Sequence, residues 1–528
     1  MRRHRTDIGV APVKKPVLPL MAALGVAALL APAAPASAVD VVDSSKLREA
    51  VTVNGILQHE RALQAIATKN DGNRASGTKG YDDSVKYVTK KLKKAGLKVK
   101  TQTFTFPLFR ELAPTTLSEI TPTARDLETL VFTYSGSGDV TGPLALAGGT
   151  VLPPGPTPSS SAAGCEPGDF TKPSSTTAVV LIQRGTCDFA VKAGNAQAAG
   201  YAAAIIFNEG QEGRTDVLNG TLGAPLTIPV VGVDFATGAS LAEEVGDGPV
   251  TVNVSTTTET DLEAKTENII ADTPKGKTGT TVVVGAHLDS VLEGPGINDN
   301  GSGSATILEI AEQMKALGYT KKGKLQRQVR FAFWGAEEAG LLGSQYYVDS
   351  LSAEKISTIY ANLNFDMVGS PNYVRFVYDG NGSDTPLAGP AGSAGIEKVF
   401  TDYFAAQGLA TRPTAFDGGT DYAPFLAAGI PAGGLTGGAG DVKTEEEAEV
   451  FGGTAGVAYD PCYHLACDDV SNLNEQALFE LGDAAAHATF VLATSKSGIY
   501  ADGSRVAAQR SAPQAPVTLP FRGSKAVR

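Results

Sequence analysis

Apolar residues recur at helical spacing from Leu47 to Ala67 (Val51, Ile56, Leu57, Leu63, Ile66) and again from Tyr81 to Ala95 (Val85, Val88, Leu92), as expected for two helices that each bury one face. Gly96 stops the second helix, and Leu97 to Phe106 then alternates as a strand (Val99, Thr101, Thr103, Thr105). A polar turn, Asn73-Arg74-Ala75-Ser76-Gly77, separates the two helices. Between Val131 and Ser255 the texture changes to short β-rich runs: Ala178 to Gln183, Ala203 to Phe207 and Ile228 to Val233. One helix, Ala190 to Ala199, and a Pro/Gly/Ser-rich stretch, Pro153 to Gly164, lie among them. From Asn268 strands and helices alternate: strand Thr281–Gly285, helix Ser304–Leu317, strand Val329–Trp334, helix Leu342–Leu351, strand Ile359–Phe365. This alternation predicts an α/β fold, a sheet sandwiched by helices, with ligands at the carboxyl ends of the strands. The β-rich middle segment reads as an inserted domain.

The first 38 residues fall outside that pattern. Arg2, Arg3, Arg5, Lys14 and Lys15 precede an apolar run from Val17 to Leu30, and Ala36-Ser37-Ala38 is a small-residue cleavage site. The run is too short to span a bilayer and Pro32 and Pro35 interrupt it, so residues 1–38 are expected to be a signal peptide of an exported protein. No later stretch has the apolar length of a membrane span. Residues 500–528 turn basic and Pro/Ser/Ala-rich, without apolar periodicity, and are expected to be disordered or trimmed.

The 528 residues are 42% hydrophobic and 19% charged, which excludes a disordered or collagen-like chain. A formal charge of −12 argues against a nucleic-acid partner, which would need a basic face. Only five His and four Cys occur, so a metal site must lean on carboxylates.

Acids and histidines cluster just past the predicted strands. The first strand runs into Gly285-Ala286-His287-Leu288-Asp289-Ser290, followed by the loop Gly296-Ile297-Asn298-Asp299-Asn300-Gly301-Ser302-Gly303 that opens a helix. The second runs into Trp334-Gly335-Ala336-Glu337-Glu338 and the third into Asn364-Phe365-Asp366-Met367, while Cys462-Tyr463-His464 lies in a loop closed by Cys467. Singly, such a histidine is a satisfied structural residue and a Glu pair is a solvated face. Jointly they fit a pair of zinc ions with mixed nitrogen and oxygen ligands. Two neighbouring metals need a bridging carboxylate and two further ligands each, and the chemistry needs one free carboxylate to take a proton from water. His287, Asp299, Glu338, Asp366 and His464 supply the five, leaving Glu337 as base. Asp289 can accept the second N–H of His287 and orient the ring. A phosphate cradle at residues 298–303 is disfavoured by the charge of Asp299. His59-Glu60 lacks the second histidine of a His-Glu-x-x-His helix, and no P-loop or Gly-x-Ser-x-Gly elbow stands beside a histidine.

These motifs resemble those of the co-catalytic di-zinc aminopeptidases, the family of the secreted bacterial leucine aminopeptidases, especially the Streptomyces type. The resemblance covers about residues 45–105 and 262–495 and includes Asn73-Arg74 and Val368-Gly369-Ser370-Pro371-Asn372. The middle segment resembles a protease-associated domain through Cys165 to Phe170, Gln183 to Phe189 and Lys192 to Asn208. The implied division is a peptidase domain from residues 39–130 and 259–499, interrupted by the insert at 131–258. The resemblance implies that Asp299 bridges two zincs, with His287 and Asp366 on one and Glu338 and His464 on the other. Glu337 would be general base and then acid, and Tyr463 would steady the oxyanion. It implies peptide substrates with a free N-terminus and a hydrophobic first residue such as Leu, with a monomer as the expected state.

Some positions depart from that family. The loop Asp417-Gly418-Gly419-Thr420-Asp421 lacks an Arg that Streptomyces-type relatives carry near the substrate, and Gly434-Leu435-Thr436 lacks a pocket Phe. A calcium site of close relatives is incomplete, since Phe479 stands at an acidic position while Asp483 remains. Four cysteines allow three pairings. Cys462–Cys467 would close the loop that presents Tyr463 and His464, and Cys165–Cys187 would staple the insert. A four-cysteine zinc site is disfavoured because no Cys-x-x-Cys occurs and an exported protein favours disulfides. His59 and His487 read as structural. The competing functions are a carboxypeptidase or single-zinc glutaminyl cyclase on the same fold, and a non-catalytic binding protein.

Overall fold

The structure, a computed structural model, describes residues 40–500. The expected signal peptide and nearly all of the basic tail lie outside the described residues. Three parallel strands, Lys277–His287, Arg327–Trp334 and Ile359–Phe365, form the centre of a mixed sheet, with Ala432–Thr436 parallel beside the last. Their apolar runs are continuous because both faces are covered. Val282, Val284, Phe331 and Phe333 point into the main core with helices Gly303–Ala316 and Glu475–Thr494, whereas Val283, Ala332 and Trp334 pack against Tyr347 and Phe425 on the other face. The period-two alternation thus serves two cores at once.

The register sets the site. Trp334 pairs with His287 and Asn364 with Gly285, so the three strands end on one level and their following residues share one rim.

Two features depart from the sequence expectation. The first helix is two, Ser45–Ala50 and Val53–Lys69, because Thr52 turns extended and its hydroxyl accepts the Gly55 N–H at 3.0 Å, capping the second. The strand expected to end at Phe106 instead runs from Lys98 to Thr121. It pairs antiparallel along its length with Thr251–Asp272, whose end joins the parallel strands through Arg327–Trp334 and whose beginning joins Gly138–Leu146. Past Gly138–Leu146 the sheet continues through Val179–Gln183, Ala203–Phe207 and Val230–Val233. This segment has its own apolar clusters, and it carries a helix, Phe235–Asp247, that the sequence reading does not anticipate. Cys165 and Cys187 form a disulfide there.

In the last helix, Asp483 accepts from Arg48 at 2.7 Å and from the Tyr403 hydroxyl, so a positive charge of the chain already sits on the carboxylate of the incomplete calcium set. His487 stacks on Tyr403 with ring centroids 4.7 Å apart and meets the Ser44 hydroxyl at 2.8 Å. Burial, aided by Arg48 and opposed by Asp483, pushes its pKa down to about 4. An unfolded chain protonates this histidine near 6.5 while the folded one does not, so stability is complete above 6.5 and falls as pH drops towards 4. Denaturant unfolding at pH 7 and pH 4.5 is expected to show His487→Gln losing less stability than the wild type over this window, by up to about 3 kcal/mol.

Candidate metal centre

The loop that carries Asp299 is tied to the end of strand Ile359–Phe365 by side chains. Asn300 donates to the Phe365 carbonyl at 3.0 Å and accepts the Gly303 N–H at 2.9 Å, while Asn298 accepts the Gly369 N–H at 3.0 Å. Gly303 is required by close approach, since a Cβ there would lie 2.2 Å from the Phe365 carbonyl oxygen. Asp468 accepts the N–H groups of Asn298 and Asp299 at 2.8 and 3.0 Å. From the other side, the buried Arg74 guanidinium donates to the carbonyls of Leu288, Pro295 and Gly296. A loop gripped on both sides holds its carboxylate in one place.

The carboxylate of Asp299 lies between two imidazoles. Its Oδ1 is 3.1 Å from His287 Nε2 and its Oδ2 is 3.1 Å from His464 Nε2. His287 Nε2 also faces Asp366 Oδ1 at 3.3 Å, and His464 Nε2 faces Glu338 Oε2 at 3.1 Å. The five side chains therefore form two halves that share Asp299. Glu337 completes a second group with His287 and Asp366, with ligand atoms within 4.8 Å of one another. Asp289 meets His287 differently from the sequence expectation: its backbone carbonyl is 3.2 Å from Nδ1 and its carboxylate 3.6 Å, while that carboxylate accepts the Glu337 N–H at 3.3 Å. Tyr463 stacks on His464, ring centroids 3.9 Å apart, in the loop closed by the Cys462–Cys467 disulfide.

Backbone strain is concentrated here. Ala336, Met367 and His464 have φ of 53°, 54° and 58°, left-handed values that cost a non-glycine residue on the order of 1 kcal/mol. Each adjoins or is one of the converging residues, so the strain re-aims Glu337, Asp366 and His464 toward one point.

The electrostatics fit a metal. Burial opposes charge on His287 and His464, yet Asp366 and Glu337 around the first, and Glu338 and Asp299 around the second, outweigh it; His287 is driven well above the usual range and His464 to about 11. Glu338 is pushed up to about 7 and Asp421 to about 8, in both cases mainly by burial. Burial and the neighbouring Glu338, Asp421 and Asp366 raise Glu337 well above a usual carboxylate. Two imidazoles among Asp299, Glu337, Glu338, Asp366 and Asp421 are thus forced to hold protons, and divalent cations would relieve the same imbalance. Glu338 Oε1 and Asp366 Oδ1 are buried and have no hydrogen-bond partner, as open ligand atoms would be. Tyr463 is raised well above its ordinary pKa by burial and the surrounding carboxylates and keeps its proton as a donor.

Sequence reasoning assigned no part to three residues of this arrangement. Thr420 donates to Asp366 Oδ2 at 2.5 Å, Asp468 supports the loop, and Arg74 clamps it from behind. None has a periodic signal; Arg74 lies in the Asn73-Arg74 motif and Thr420 in the Asp417 to Asp421 loop, neither with a role of its own. A cavity of about 290 Å³ opens beside the site. Met367, Phe376, Tyr378 and Tyr459 contribute its apolar wall, and Asp417, Asp441 and Glu447 also line it.

Residues 268–489 match the model of Peptidase family M28, and residues 140–241 that of the PA domain. An aminopeptidase of Pseudomonas aeruginosa is 44% identical over 463 residues, covering 85% of this chain and 82% of that protein. A probable lipoprotein aminopeptidase of Mycobacterium tuberculosis is 41% identical, covering 86% and 87%, and a probable leucine aminopeptidase 2 of Aspergillus fumigatus is 38% identical, covering 84% of each. Among solved structures, an aminopeptidase from Aneurinibacillus superposes with a TM-score of 0.66 at 26% identity, over 86% of this chain and 96% of that one.

Proposed function

Because the chain belongs to peptidase family M28, as a zinc-dependent aminopeptidase carrying a PA domain, we propose that it uses two zinc ions and releases hydrophobic first residues, Leu among them, from peptides with a free N-terminus. The observation that carries this reading is the placement of Asp299, one carboxylate oxygen against His287 and the other against His464. His287 and Asp366 would hold one ion, Glu338 and His464 the other, and Asp299 would bridge them. Zinc, when bound, supplies Lewis-acid polarisation of the scissile carbonyl and makes water more acidic.

The chain's own groups do the rest. Glu337 takes the proton from the attacking water and delivers it to the leaving amine, a role that needs a carboxylate whose pKa lies above the usual range. Its Asp289 contact fixes the backbone from which it reaches in. The Tyr463 hydroxyl, kept protonated, donates to the oxyanion that develops on the carbonyl. Asp468 and Arg74 hold the Asp299 loop still, so that little reorganisation accompanies the reaction.

The apolar wall of Met367, Phe376, Tyr378 and Tyr459 supports a preference for Leu-like side chains. The acids Asp417, Asp441 and Glu447 add a restriction: a first residue that is itself Asp or Glu meets like charge. Peptides beginning with Glu are expected to have kcat/KM at least about tenfold below those beginning with Leu, since about 1.4 kcal/mol of repulsion suffices. A Leu, Met, Lys and Glu series at the first position checks this; equal rates for Leu and Glu would sink the assignment of this cavity to the first side chain.

We further read the protein as secreted, monomeric and freed of its leader after Ala38. The two disulfides support an oxidising destination, and no helix among the described residues is long and apolar enough to cross a membrane.

A further inference from the structure

Behind the Asp299 loop, three helices bring together a second group of ligand-type side chains. His59 comes from Val53–Lys69, Glu309 and Glu312 from Gly303–Ala316, and Tyr87 from Lys79–Lys94. His59 is 1% exposed and Glu309 4%. The His59 Nδ1 meets the Tyr87 hydroxyl at 2.8 Å, and the opposite ring nitrogen, Nε2, is buried with no hydrogen-bond partner. It points between two carboxylates, 3.4 Å from Glu309 Oε2 and 3.6 Å from Glu312 Oε2. All three ligand atoms lie within 4.8 Å of one another.

The two separations from His59 Nε2 show what that nitrogen does not do. A hydrogen bond from an imidazole N–H to a carboxylate spans about 2.7–3.2 Å. Two ligand atoms on one tetrahedral zinc, each about 2.0–2.2 Å from the metal, lie about 3.3–3.6 Å apart. The two distances from His59 Nε2 lie beyond the first range and within the second, so this buried nitrogen makes no hydrogen bond and is left open as a ligand atom would be. The surroundings also orient the ligands: Gln313 donates to Glu309 Oε1 at 2.8 Å, and Tyr87 holds the far nitrogen of His59 as outer partners of metal ligands do. Gly55 leaves room for the Glu309 carboxylate, because a Cβ there would stand 2.2 Å from its Oε1. Glu312, whose side chain is 24% exposed, is the way in from solvent, with Lys91 at 3.5 Å as the competing cation.

We propose that His59, Glu309 and Glu312 bind a further divalent cation of the zinc class, apart from the centre at Asp299, joining the helix that leaves the Asp299 loop to the helix at Val53–Lys69. One imidazole, two carboxylates and an open fourth position give the mixed set that zinc accepts. A site so placed is structural: it fixes the helix on which the Asp299 loop is mounted and touches no substrate.

The full-length enzyme, its glutamine variants Glu312→Gln and His59→Gln, and zinc alone as the probe test this. After equilibration with zinc and removal of the free ion, elemental analysis is expected to find one zinc fewer per chain in each variant than in the wild type, whatever number the wild type holds at Asp299. Zinc added to partly depleted protein is expected to raise the wild-type melting temperature by more than that of Glu312→Gln, with the variant's affinity for this ion at least about tenfold weaker. His59 is deeply buried; if His59→Gln does not fold, the partly exposed Glu312 position decides alone. Equal zinc content and equal thermal response in the wild type and folded Glu312→Gln would overturn the proposal and leave a buried histidine packed beside two carboxylates.

Discussion

Glu337→Gln is expected to lower kcat by about 10²–10⁴-fold while leaving zinc content and KM nearly unchanged. Gln keeps the size of the side chain and its capacity to hydrogen-bond, so the strand end, the strained Ala336 and the Asp289 contact to the Glu337 N–H should persist. What it lacks is a carboxylate that can take a proton from water and return it to the departing amine. Glu337 is not one of the three carboxylates, Asp299, Asp366 and Glu338, within about 3.3 Å of the two imidazole Nε2 positions, which is why a loss of turnover without a loss of metal is the expected signature. Elemental analysis beside steady-state kinetics reads both. A variant with kcat close to the wild type would remove Glu337 from the mechanism.

Asp299→Asn should have the opposite signature, with metal lost first and activity in consequence. The substitution replaces one of two equivalent oxygens with an amide NH₂, which donates rather than accepts, against either His287 or His464. Because the two oxygens face different imidazoles and the amide also removes the negative charge they share, both halves are expected to weaken, by more than the roughly 10–100-fold that follows from changing an outer partner. Asp366→Asn touches the His287 half alone and should release one ion equivalent where Asp299→Asn releases two. Equal losses from the two variants would mean that Asp299 does not bridge.

The contrast between these two residues and the rest of the site shows what a sequence can reveal. His287, Glu337, Glu338 and Asp366 are legible because continuous apolar runs mark strands covered on both faces, and the residues past such strands gather on one rim. Asp468 and Thr420 are not legible in this way. Each is a single polar residue in a loop, and its role arises only when the fold brings it to a partner far along the chain, Asp299 in one case and Asp366 in the other. The long ribbon of Lys98–Thr121 and Thr251–Asp272 escapes for a different reason. Residues 111–114 are all exposed, so that stretch of the pairing carries no alternation of apolar and polar positions and its register comes from main-chain hydrogen bonds. The helix Phe235–Asp247 is likewise weakly marked, with Gly238 in its interior, a residue the close packing on Phe207 demands.

Arg74 shows how the two kinds of information combine. Its motif is visible in the chain, but a buried guanidinium that spends its donors on three main-chain carbonyls of the segment leading to Asp299 is a property of the folded molecule. Burial of the charge is tolerated because those carbonyls satisfy it and nearby acids, Glu60 and Asp289 among them, oppose the desolvation that lowers its pKa.

The most direct test combines zinc content with release of the first residue from Leu-Ala-type peptides, free and N-acetylated. Measured on Glu312→Gln, so that the helix cluster adds nothing to the count, the account predicts two zinc ions per chain and cleavage of the free peptide alone. One zinc per chain, or equal cleavage of the acetylated peptide, would contradict it.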